Sequence, residues 1–155
     1  MNIELTNFRD LPRQQQLSVA ETVAAYSQDP ANEHKIVPVY PEDIIHQKQL
    51  GVVALNGARL AGYVGAAAPL EHEGRIMSQV GTLSVMEPYQ NKGVACRLIG
   101  GITLDLVGAG QVPYAFCNPA SQRAFEKAGY VPAEAGQLPS AAASRYGNRP
   151  LVLDY

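Results

Sequence analysis

A single α/β domain with a mixed, mostly antiparallel sheet is the fold this chain predicts, and three observations carry the prediction. At 155 residues the chain has the length of one domain, enough to bury a sizeable core without disulfides or metal. Residues 51–86 read as three strands in succession, joined by polar turns and therefore antiparallel. Beyond them helical and extended patterns alternate, which adds a parallel neighbour through a right-handed crossover.

Taken in order, Ile3 and Leu5 start a first strand, and Leu11-Pro12 opens a helix whose first turn suits proline. Leu17, Ala20, Val23 and Ala24 give that helix an apolar stripe for the sheet, and it ends before Asp29-Pro30. Residues 30–41 form a proline-bounded connector, followed by a short helix over 42–49. The β-type runs Gly51–Leu55 and Leu60–Gly65 flank Asn56-Gly57, a strong hairpin signal. Residues 66–70 continue the second of these strands, Glu71-His72-Glu73-Gly74 makes a polar turn, and residues 75–86 form the next strand.

From Val94 the apolar positions Ala95, Leu98, Ile99, Ile102 and Leu106 share one face of a helix that Gly108 and Gly110 can stop. Gly100 and Gly101 lie inside it at a cost of about 1 kcal/mol each, which means either close backbone packing or a weak helix. Val112, Tyr114 and Phe116 alternate as a strand. Asn118-Pro119 reads as N-cap and first helical residue, Ala120, Ala124, Phe125 and Ala128 as the buried stripe, and Gly129 as the stop. Residues 130–133 and 150–155 are the last two strands.

Composition narrows the function. A formal charge of −2 supplies no basic footprint for nucleic acid or an anionic membrane. The N-terminus lacks the positive flank and apolar run of a signal peptide, and no run reaches ~18 apolar residues, so a soluble, cytoplasmic protein is expected. The two cysteines, Cys96 and Cys117, have no metal-ligand spacing and read as free thiols. No metal site is expected. The sequence selects neither a monomer nor a homodimer.

The most informative stretch is Leu83-Ser84-Val85-Met86-Glu87-Pro88-Tyr89-Gln90-Asn91-Lys92-Gly93-Val94-Ala95, which runs from strand through a tight turn into a helix. A helix start presents unpaired backbone N–H groups, and the macrodipole adds about half a positive charge, so the turn suits a phosphate or pyrophosphate. Gly93 permits close approach, Ala95 keeps the first turn thin and Lys92 adds a cation. The structural alternative is an ordinary turn.

Gln-x-x-Gly-x-Ala after Leu-x-Val, followed by Asn118-x-x-Ser121-x-x-Ala124-Phe125-x-x-x-Gly129-Tyr130, resembles the GNAT N-acetyltransferase superfamily over residues 78–130. The resemblance implies helices on both faces of the sheet and a splayed parallel strand pair. It also implies acetyl-CoA as acyl donor, with the pyrophosphate on Gln90, Asn91, Lys92, Gly93, Val94 and Ala95, pantetheine against Leu83, Ser84 and Val85, and Asn118, Ser121 and Phe125 beside the cofactor.

Acetyl transfer to an amine needs a neutral nucleophile, a polarised carbonyl and a proton for the departing thiolate. The position of the family's usual carboxylate base holds Gln79, an amide that orients water but takes no proton. The usual tyrosine acid is replaced by Phe125. Tyr114 is the substitute phenol, with a lining or core aromatic as its structural alternative, and a bulge near Val85 would free an amide for the carbonyl. The expected function is therefore acetyl transfer to a primary amine of a small molecule or a peptide, with a catalytically weak acyl-CoA-binding module as the alternative. Another nucleotide is a third possibility, against which stands the lack of a Gly-Lys-Ser/Thr sequence after the loop. Cys117 as a ping-pong nucleophile and Glu71, His72 and Glu73 as an acid/base cluster are secondary candidates; His34 and His46 stand alone. Tyr26, Tyr40 and Tyr146 fall in segments that flank the acceptor site in the resembling fold.

Overall fold

The computed structural model describes residues 2–29, 39–47, 50–134, 136–139 and 149–154. Its strands are β1 (Ile3–Asn7), β2 (Leu50–Asn56), β3 (Arg59–Ala66), β4 (Leu70–His72), β5 (Arg75–Val85), β6 (Val112–Cys117), β7 (Tyr130–Pro132) and β8 (Arg149–Leu153). The helices are α1 (Arg13–Gln28), α2 (Val94–Gly108) and α3 (Pro119–Lys127). Together the strands form one sheet in the order β1-β2-β3-β5-β6-β8-β7, with β4 paired to β5. Among the described residues only β5 and β6 run parallel, joined by α2 as the crossover pattern requires.

Alternation along each strand divides the core between two faces. Val53 and Tyr63 meet Val19, Ala20 and Val23 of α1 on one side. Val52, Ala54 and Val64 meet Leu98, Ile99, Ile102 and Leu106 of α2 on the other, where Phe125 of α3 joins the same cluster. Helices therefore cover both faces. The two helical glycines separate: a Cβ on Gly101 would lie 3.4 Å from Leu5 and 3.5 Å from Val52, so this position brings α2 close to the sheet, whereas one on Gly100 would meet nothing within 4 Å.

Three local expectations are corrected and the winding of a fourth element is defined. The 56–59 hairpin keeps Asn56 in the strand, paired with Arg59, and turns through Gly57 (φ 61°) and Ala58, because glycine takes the left-handed first position of a two-residue loop. The second hairpin strand stops at Ala66 rather than running through Leu70: Pro69 donates no N–H to the ladder, and β4 takes up the pairing with β5 again from Leu70. The short helix expected over 42–49 is present, wound as a π turn over residues 43–47 that fully buries Ile44, and residues 48 and 49 lie outside the described set. The β5 bulge lies not at Val85 but between Gly81 and Ser84, where Thr82 has φ 54° and two steps on β3 match three on β5.

Candidate active site

The parallel ladder between β5 and β6 is short: Met77, Ser78 and Gln79 pair with Val112, Pro113 and Tyr114, and there it ends. β5 continues on β3 as far as Val85 opposite Gly62, and β6 continues on β8 as far as Cys117. The facing edges beyond Gln79 and Tyr114 are thus left unpaired by one another, and the bulge at Thr82 increases the bend that parts them. The Met86 N–H bonds back across β3 to the Ala61 carbonyl at 2.8 Å. Successive strand amides alternate in direction, so the Val85 N–H points to the other edge, into the fork.

α2 starts at the mouth of this fork. Asn91 (φ 60°) and Gly93 (φ 81°) both take left-handed conformations, and no side chain caps the helix. The first backbone bond of the helix is Arg97 N–H to Gly93 C=O at 3.2 Å, so the amides of Val94, Ala95 and Cys96 have no intrahelical acceptor. Across the fork, α3 starts at Asn118, whose Oδ1 accepts from the Ser121 N–H at 2.9 Å while Pro119 supplies the first helical residue.

Between the two helix starts lies a groove of about 650 Å³. Of the residues singled out from sequence, it brings together Leu83, Val85, Gln90, Asn91, Gly93, Val94, Ala95, Asn118 and Ser121. Ser84 turns to the α1 face opposite Tyr63 and is buried with no partner for its hydroxyl among the described residues. Lys92 is exposed in the turn outside the lining, and Phe125 is buried edge-on to Tyr130 with ring centroids 5.1 Å apart. Gln79 and Tyr114 occupy one rung, the last before the fork. Tyr114 is 2% exposed among Met77, Val112 and Val152, and burial raises its pKa above the ordinary phenol value.

Other candidates have different settings. Cys117 is buried, and burial above all pushes its thiol up to about 12, so no thiolate forms at neutral pH. His72 bonds the Gly136 carbonyl through Nε2 at 2.7 Å, tying the hairpin tip to the segment after β7. Among the described residues no three His, Cys, Asp or Glu side chains group as a metal site. His46 is exposed in the π turn and Tyr40 is 61% exposed; His34 and Tyr146 lie outside the described residues.

Of the tyrosines singled out from sequence for the acceptor side, the structure brings one to the groove, and it adds lining residues that motif reading did not place. Tyr26 reaches the groove from α1, and its hydroxyl accepts from Gln90 Nε2 at 3.1 Å while the same amide donates to the Val85 carbonyl at 2.9 Å. Burial foremost raises its pKa, the Gln90 bond opposing and Glu87 adding to the rise. Cys96, Arg123 and Lys127 also line the groove. The spacing of Arg123 and Lys127 was legible as one helix face; that this face borders a cavity was not.

No family model matches the chain, and no curated protein matches it. Solved structures do. A GNAT-family acetyltransferase from Staphylococcus aureus superposes with a TM-score of 0.72 at 16% identity, over 98% of each chain. The chain has the GNAT fold. A second GNAT-family acetyltransferase, from Brucella melitensis and solved with acetyl-CoA, gives a TM-score of 0.63 at 16% identity over 99% of this chain and 90% of its own. Arabidopsis thaliana Naa50, solved with a CoA-peptide bisubstrate analogue, gives 0.66 at 12% identity over the full length of both. At such identities the shared property is the GNAT fold itself. No helix among the described residues is long and apolar enough to cross a membrane.

In this fold Asn118 has two tasks, as the cap of α3 and as a wall of the groove. Asn118→Ala is expected to cost roughly 1 kcal/mol of stability through the lost cap and to weaken acetyl-CoA binding as well. A denaturation midpoint and a binding isotherm both equal to wild type would contradict the two roles.

Proposed function

We propose that the protein is an acetyl-CoA-dependent N-acetyltransferase that transfers acetyl directly to a primary amine of a small molecule or a peptide. The observation that carries this reading is the groove formed where β5 and β6 part beneath the start of α2. Its strand edge suits the amides of a pantetheine arm, and the amides of Val94, Ala95 and Cys96 suit a pyrophosphate. Among the described residues no Asp or Glu lines it.

Acetyl-CoA supplies the activated acyl carbon. The Val85 N–H, turned into the fork, is a donor for the pantetheine arm or the carbonyl near it. The amine attacks in its neutral form, and with no carboxylate or imidazole in the lining its proton passes to water, which the Gln79 amide at the last rung orients. The C–S bond breaks as the C–N bond forms, and the thiolate takes a proton from Tyr26, the phenol of the groove wall; burial keeps that phenol protonated through neutral pH. Tyr114, buried among Met77, Val112 and Val152 outside the groove lining, takes no part in these proton transfers.

One observation favours the rival reading of a binding module. The customary base position holds an amide, and the customary acid position holds a ring without a hydroxyl, buried against Tyr130. Thiol release from acetyl-CoA, followed across a panel of small amines and N-terminal peptides, separates the two. Amine-dependent release by wild-type protein is the expected result; acetyl-CoA binding with no release above the protein-free rate for any amine would favour the module.

A further inference from the structure

We propose that the side chain of Gln90 is a positioning residue for the proton donor: it holds the Tyr26 oxygen against the end of β5 and fixes from which side the phenol gives its proton. The inference rests on the reading of Tyr26 as the general acid and adds a residue on which that acid depends. Gln90 enters the motif reading through its backbone, as part of the pyrophosphate turn. Its side chain runs the other way, back over the end of β5. One nitrogen, Nε2, donates to the Val85 carbonyl at 2.9 Å and to the Tyr26 hydroxyl at 3.1 Å, so both amide hydrogens are used.

The chemistry of the three partners sets the direction of each bond. A backbone carbonyl only accepts, so the Val85 oxygen requires the nitrogen end of the Gln90 amide and settles its orientation. An amide nitrogen only donates, so the Tyr26 oxygen, which could do either, accepts here and its own O–H points away from Gln90. The backbone that carries the amide is itself held: the Gln90 N–H bonds the Glu87 carbonyl at 3.2 Å, and the preceding Tyr89 is buried with its hydroxyl accepting from Asn56 Nδ2 at 3.1 Å. Tyr26 and Gln90 are both half-buried and both line the groove. A phenol in the last turn of α1 is thereby referred, across 64 positions of sequence, to the strand end whose Val85 N–H turns into the fork. General acid catalysis needs its donor within hydrogen-bond reach of the atom it protonates, and a misplacement of about 1 Å can cost about 10²-fold.

The test is a double-mutant cycle on amine-dependent thiol release with wild type, Gln90→Met, Tyr26→Phe and the double variant. Methionine keeps an unbranched side chain of similar length and leaves the backbone amide of the turn in place, but it donates no hydrogen bond. Gln90→Met is expected to lower kcat about tenfold or more, while KM and calorimetric affinity for acetyl-CoA stay within about threefold, since loss of donor alignment acts on the chemical step alone. In the Tyr26→Phe background the same change is expected to have less than about a twofold effect, because no donor remains to be positioned. Gln90→Met at the wild-type kcat, a loss that falls on acetyl-CoA affinity instead of kcat, or losses that multiply in the double variant would each overturn the positioning role while leaving Tyr26 as the acid. Tyr26→Phe at the wild-type rate, or no thiol release by wild type with any amine, would overturn the reading of the acid itself, and this inference with it. Retained acetyl-CoA affinity also verifies that the methionine variant folds.

Discussion

Gly93→Val is expected to weaken acetyl-CoA binding about a hundredfold while the protein still folds. At φ 81° the residue sits where a β-branched side chain is strained, by roughly 1–2 kcal/mol. A Cβ built there meets nothing within 4 Å, so the strain arises in the backbone and no steric collision accompanies it. The turn relieves it by moving φ toward negative values, and that rotation re-aims the amides at the start of α2. Loss of two amide–phosphate bonds at about 1.5 kcal/mol each gives the hundredfold figure. Calorimetric titration checks it, with Gly93→Ala as an intermediate step. Wild-type affinity in the valine variant would remove the pyrophosphate from this turn.

The second large effect belongs to the proton donor. Tyr26→Phe is expected to lower kcat for thiol release by about 10²-fold or more, the usual scale of general acid catalysis, with little change in KM for acetyl-CoA. Tyr114→Phe, altering a phenol packed among Met77, Val112 and Val152, is expected to stay within a few-fold of wild type. The pH profile carries the sign. An acid must be protonated to act, and burial raises the Tyr26 pKa above the ordinary phenol value, so the donor is protonated at neutral pH and the alkaline loss of kcat is displaced upward from that of an ordinary phenol. Tyr26→Phe at the wild-type rate would return the thiolate's proton to solvent, and a large loss in Tyr114→Phe would move the role to the last rung.

Much of this arrangement is written in short-range patterns. The hairpin around residues 56–59, the crossover helix after Gly93, and Asn118-Pro119 as cap and first residue all depend on neighbours a few positions apart, and each was legible at about the right place. The parting of β5 and β6 was not readable from the residues themselves, because alternating apolar residues look alike in a paired edge and an unpaired one; it entered through the family resemblance. The bulge at Thr82 gave no signal either, since a left-handed threonine is held by pairing on both sides and not by its own preference. Tyr26 meets Gln90 across 64 positions of sequence, a contact that helical periodicity does not register. Motif logic named Gln79 and Tyr114 separately, and only the register places them on one rung.

The central claim is that the fork beneath α2 is an acyl-CoA site, and the most direct measurement is a calorimetric titration of the wild-type protein with acetyl-CoA, paired with hydrogen exchange on the complex. The account predicts saturable one-to-one binding, with amide protection gained in residues 83–96 and at the start of α3. Absence of binding, or binding that protects neither segment, would contradict it.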